Sequence, residues 1–159
     1  MMRRPISVAL SVVLLFGATV LVAKSYTPKT NTRAAVKAYV DRAAKEVARH
    51  GPSCATFKDK NWMAGDYYVF VIGPDNRLLC HPNASMVGKM NTEIVDANGK
   101  KVGAELANVA NSKEGHGWVD YVWPRPGQTK PVSKSSYAEK VKGRDGKWYV
   151  VGAGGYELK

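Results

Sequence analysis

Residues 67–72 read Tyr-Tyr-Val-Phe-Val-Ile, aromatic or β-branched at every position, and the run ends at Gly73-Pro74-Asp75-Asn76. Side chains alternate across a strand, so this run is apolar on both faces and reads as a buried central strand. The Gly-Pro-Asp-Asn turn then reverses the chain, and residues 77–81 return as its hairpin partner.

The remaining elements are consistent with one sheet. Asn31 or Thr32 offers a cap, and Ala35, Val36, Tyr39, Val40, Ala43, Ala44 and Val47 follow at helical spacing until Gly51-Pro52. This helix has a single apolar stripe, so it packs along something without being enclosed. Residues 82–98 are loop-rich, and a short helix is expected over 103–111. Residues 117–123, 134–141 and 148–156 read as three further strands, broken by Pro124-Arg125-Pro126-Gly127 and by the turn at 143–146. A long N-terminal helix with five antiparallel strands makes an α+β domain built on one sheet.

The first residues stand apart. Arg3 and Arg4 precede Ile6 to Ala23, eighteen residues without a charge, and Ala23-Lys24-Ser25 has the small-x-small form of a cleavage site. Residues 1–25 are therefore expected to be a signal peptide, or a membrane anchor through 6–23 if uncleaved. Residues 26–31 form a linker, and 32–159 the domain. Either reading places the body outside the cytoplasm, in the periplasm. The formal charge is +11, and it is +8 without Arg3, Arg4 and Lys24. Scattered cations on an exported chain argue against nucleic acid; the excess keeps the protein soluble or attracts small anions. Cys54 and Cys80 are the only cysteines. In an oxidising compartment they pair as a disulfide; the alternative is two buried thiols. Their spacing fits no redox, haem or zinc motif.

Nothing in the sequence indicates an enzyme or a cofactor. His50, His81 and His116 lie in no nucleophile or metal motif, and GxSxG, HExxH and SxxK are absent. Asp96-Ala97-Asn98-Gly99 begins like a calcium loop but lacks its closing glutamate, so it reads as a turn. Gly152, Gly154 and Gly155 lie in a strand and let another backbone or a ligand approach closely. Residues 117–137 are richest in amphipathic rings beside cations, the composition of a small-anion pocket. With period two, Val119, Tyr121 and Trp123 face one way, and Trp118, Asp120 and Val122 the other. Lys134 and Tyr137 are likewise opposed. Asp120, among apolar neighbours, must meet a donor or reach water.

Six segments in order, YYVFVI, LLCHP with VGK after it, DANGK, GWVDYVWPRP, KSSY and WYVVGAGGY, resemble the single Cache family across residues 32–156. These are extracytoplasmic sensing modules of bacterial chemoreceptors and sensor kinases. The resemblance implies a PAS-like fold, with the long helix on one face of a curved sheet and a ligand pocket over the other. The ligands it implies are short organic acids such as acetate, propionate, lactate or pyruvate. His81 stands in the family's His-Pro position; Trp118 and Tyr121 match its GWxxY, and Lys134 and Tyr137 its KxxY. Lys134 is then expected to supply charge to a carboxylate. Tyr121 and Tyr137 would donate hydroxyls and His81 a further hydrogen bond, with Phe70 and Trp118 as apolar wall. Trp118 and Tyr121 can share a pocket only if a bulge re-aims one of them. Family receptors continue past the sensor, whereas three residues follow Tyr156 here. The expectation is a binding module without its own output domain, acting alone as a soluble binder or presenting its ligand state to a membrane sensor kinase or chemoreceptor. The alternative is an interaction module of a membrane signalling or transport complex, its pocket vestigial.

Overall fold

The computed structural model describes residues 25–159. The segment expected to be a signal peptide or anchor lies outside these residues, apart from Ser25. Helix α1 (Arg33–His50) is followed by a short α2 (Cys54–Lys58), β1 (Val69–Ile72) and β2 (Leu78–Cys80). Two 3-10 turns, Ala84–Met86 and Asn91–Glu93, lead into α3 (Val102–Ala110); β3 (His116–Pro124), β4 (Pro131–Lys142) and β5 (Trp148–Tyr156) complete the fold.

Helix α1 begins where Thr32 Oγ1 accepts from the Ala35 N–H at 3.3 Å. It stops at Gly51, whose φ of 81° belongs to the left-handed region that glycine tolerates. The stripe read from the sequence is its buried face: Val36, Tyr39, Val40, Ala43, Ala44 and Val47. That face lies on β4 and β5.

The five strands form one antiparallel sheet in the order β2-β1-β5-β4-β3. The centre is therefore β5; β1 is interior, between β2 and β5, with all four of its residues buried. The bare stretch Gly152-Ala153-Gly154-Gly155 runs through that middle strand. Two apolar layers result. One joins α1 to Val69, Val71, Tyr137, Val151 and Ala153, and the other joins α3 to Phe70, Ile72, Val119, Ala138 and Val150.

Cys54 and Cys80 are bridged, with Cα atoms 5.1 Å apart, tying α2 to β2. Helix α2 was not read from the sequence, because five residues are too few to show a period. Residues 26–31, expected to be a linker, pack on the body instead. Tyr26 stacks on Trp62 at 4.4 Å, and its carbonyl accepts from Arg42 at 2.8 Å. Asn31 donates to the Tyr156 carbonyl at 2.8 Å. A tyrosine that finds an indole and a guanidinium is worth more ordered than free.

Candidate functional site

Strand parity assigns the side chains. On the face away from α1, Tyr68, Phe70 and Ile72 line up along β1 and its lead-in. Beside them come Gly152, Gly154 and Tyr156 on β5, then Lys134, Ser136 and Ala138 on β4, then Val119, Tyr121 and Trp123 on β3. The register makes neighbours of Phe70 and Gly152, of Lys134 and Tyr156, and of Tyr121 and Lys134. Helix α3 and the 3-10 turns cover this face.

Under that cover lies an apolar cavity of about 30 Å³, walled by Phe70, Ile72, Leu78, Leu106 and Tyr121 among others. This is room for about one water. A wider groove of about 670 Å³ opens next to it, bounded by the Pro124–Pro131 loop and by Val95, Asp96 and Ala97. The two share Tyr68, His81, Met86 and Trp123, which form the partition between chamber and mouth.

Behind the partition is Lys134, only 1% exposed. Its Nζ donates to the Tyr68 hydroxyl at 2.6 Å and to the Tyr156 hydroxyl at 3.5 Å. It also lies over both rings, 4.0 Å and 4.7 Å from their centroids. Lys134 forms no ion pair among the described residues. Burial pushes its ammonium down to about 7, although the charge of Asp66 acts to raise it. Burial raises the Tyr68 hydroxyl well above its usual range and takes Tyr156 to about 12, so both remain protonated.

The glycines of β5 make this arrangement fit. A Cβ on Gly152 would fall within the Phe70 ring, and one on Gly154 would come 2.8 Å from Lys134 Cε and 2.6 Å from the Ser135 carbonyl. The close approach expected at Gly152 and Gly154 is thus made by the side chains of Phe70, Ser136 and Lys134 as well as by neighbouring backbone.

His81 Nδ1 accepts from the Asn83 N–H at 3.1 Å, which leaves the proton on Nε2. Burial, followed by the charge of Lys134, takes His81 down to about 4, so the ring is neutral with one N–H to donate. It meets the Tyr68 ring edge-on at 5.1 Å. The Tyr121 hydroxyl is paired with Ser136 Oγ at 2.8 Å, and burial raises it.

Phe70, His81, Tyr121 and Lys134 therefore come together on one face. Trp118 and Tyr137 do not. They pair across β3 and β4 on the α1 side, their rings 5.2 Å apart. Arg33 lies over Trp118 at 4.6 Å and Lys37 over Tyr137 at 5.3 Å. The β3–β4 register runs unbroken from His116 to Pro124, so no bulge turns either ring towards the cavity. Asp120, on the same side, has its donors in Arg33 at 2.9 Å and Ser135 at 2.5 Å. The Asp96 carboxylate is taken up by the backbone N–H groups of Asn98, Lys100 and Val122, all within 3.1 Å, which clamps the turn to β3. Tyr68, Trp123 and Tyr156 were not singled out from the sequence. Parity could have found Tyr68, two residues from Phe70, and Trp123, two from Tyr121; no local pattern marks Tyr156.

Known proteins place this architecture. A profile described as Cache domain matches residues 20–159. A methyl-accepting chemotaxis protein, McpP of Pseudomonas putida, is 30% identical over 92 residues, which is 57% of this chain and 16% of that protein. A solved periplasmic sensor domain of a chemotaxis protein superposes with a TM-score of 0.54 at 31% identity, covering 76% of this chain and 74% of its own. A second structure, described as the basis for carboxylic acid recognition by a Cache chemosensory domain, gives 0.51 at 28%, covering 76% and 73%. A single sheet with the long helix on one face and a covered cavity on the other, matched from residue 20 to residue 159, means that the chain belongs to the Cache domain family.

Proposed function

We propose that residues 32–159 form an extracytoplasmic module that binds a short-chain carboxylate and reports it to a membrane chemoreceptor or sensor kinase. The observation that carries this reading is Lys134, an ammonium buried against Tyr68 of the chamber lining, held by two hydroxyls and without an ion pair among the described residues. A buried cation without a counter-charge is costly, and a small anion removes that cost. In this proposal the ligand's carboxylate takes the place of the Tyr68 hydroxyl on Lys134 Nζ. Movement of Tyr68 then joins the chamber to the mouth. His81 Nε2 and the Tyr68 hydroxyl donate to the second oxygen, and Phe70 and Tyr121 enclose the alkyl end. The carboxylic acid recognition described for a related structure supports this choice of ligand class.

Calorimetric titration of C2 to C4 monocarboxylates into the protein and into Lys134→Met tests the proposal. Saturable binding to the parent, lost in Lys134→Met at a melting temperature no lower than the parent's, is the expected result. No heat from any acid at millimolar concentration contradicts it. The small chamber favours a second reading, in which the pocket is vestigial and the domain is a protein-interaction module. Recovery of the same membrane partner with parent and Lys134→Met, with no carboxylate bound by either, would favour that one.

A further inference from the structure

Trp148 is half exposed, at 50%, the highest exposure recorded for a large hydrophobic residue among those described. It opens β5 on the sheet face that carries the chamber, near the C-terminal end of α3, whose cap Asn111 lines the same groove. Lys142 is its cross-strand partner, and the ammonium groups of Lys140 and Lys142 stand 5.2 Å and 5.9 Å from its ring centre. Beside it a groove of about 310 Å³ runs between the Lys147–Val150 edge and the turn at Gly73. Arg144 and Lys147 extend the positive charge around the hairpin. The acid there, Asp145, is already engaged by the Tyr149 hydroxyl at 2.8 Å and the Lys147 N–H at 3.1 Å. Lys140 and Lys142 have no ion pair among the described residues.

We infer that this end of the sheet is a docking site for an acidic segment of a partner protein that also carries an aromatic or aliphatic side chain. The unpaired lysines call for carboxylates. The exposed indole face beside a groove calls for an apolar group, which a bare polyanion lacks. A bilayer's anionic headgroups offer no side chain for the groove beside the indole, so vesicles serve as the contrasting arm of the test. The proposal does not depend on the carboxylate reading, because the chamber and the patch share no lining residue.

A fluorescein-labelled peptide alternating Glu and Phe, titrated with the protein by anisotropy, is the test. Saturable binding at micromolar protein and low salt is expected. Trp148→Ala and the double variant Lys140→Glu/Lys142→Glu should each weaken it about tenfold or more. Because the three side chains are exposed, their melting temperatures should match the parent's. Lys29→Glu/Lys60→Glu removes the same charge elsewhere and should leave binding within about twofold. No binding at millimolar peptide overturns the inference. So does an equal loss in Lys29→Glu/Lys60→Glu, or tighter binding to phosphatidylglycerol vesicles than to the peptide.

Discussion

Raising the pH from 7 to 9 should weaken carboxylate binding about 50-fold, because the ligand needs a charged Lys134 and the empty site progressively loses that charge. Burial brings the ammonium down to about 7 in the unliganded protein. A bound carboxylate restores a counter-charge and returns the group towards its ordinary value of about 10.4. Between those two values the complex binds one more proton than the free protein, so affinity falls tenfold per pH unit, or about 1.4 kcal/mol. The carboxylate is ionised throughout, and neutral His81 does not titrate in this window because it lies near 4. Below pH 7 the affinity should level off. Folding stability carries the opposite sign. The unfolded chain binds more protons at Lys134 between pH 7 and about 10.4, so this residue's contribution to stability rises with pH there. Calorimetry in buffers of different ionisation enthalpy reads the linkage directly, with about half a proton taken up per ligand at pH 7 and nearly one at pH 8.5. Affinity that stays flat from pH 6 to 9, with no proton uptake, would refute the reasoning.

Other consequences can be measured on single variants. Replacing Cys54 and Cys80 by serine opens a loop with a sequence separation of 26 and should lower stability by about 3 kcal/mol in urea unfolding; an unchanged midpoint would show that the bridge contributes nothing. Gly152→Ala drives a methyl into the Phe70 ring and should cost about 1–3 kcal/mol and abolish carboxylate binding, as thermal shift with and without ligand would show. Trp118→Ala removes packing on the α1 side and should cost about 2 kcal/mol while leaving carboxylate affinity within about twofold. A tenfold loss of affinity there would return Trp118 to the site.

The sequence is most legible where one face decides an element. The α1 stripe runs at helical spacing from Ala35 to Val47, and all of it is buried except Ala35, which is half-buried. The β5 boundaries follow from a turn before Trp148 and an apolar run after it. Parity alone opposes Tyr121 to Trp118 and Lys134 to Tyr137; the family likeness drew all four together, and the unbroken β3–β4 register pairs Tyr121 with Lys134 and Trp118 with Tyr137 on opposite faces. The setting of Lys134 was not legible. Its two hydroxyl partners lie 66 and 22 residues away in sequence, and they become neighbours only because β5 is central. No local pattern encodes that strand order. The glycines of β5 carry a trace of it, since a strand so bare must have a bulky neighbour lying across it.

The central claim is that Lys134 is the carboxylate-binding cation. A crystal structure of the protein with a bound C2 to C4 carboxylate tests it most directly. The account predicts a carboxylate oxygen within about 3 Å of Lys134 Nζ, with the Tyr68 hydroxyl displaced from the position it holds here. A carboxylate seated on the Trp118–Tyr137 face, or held in the outer groove with the Lys134–Tyr68 hydrogen bond intact, would contradict it.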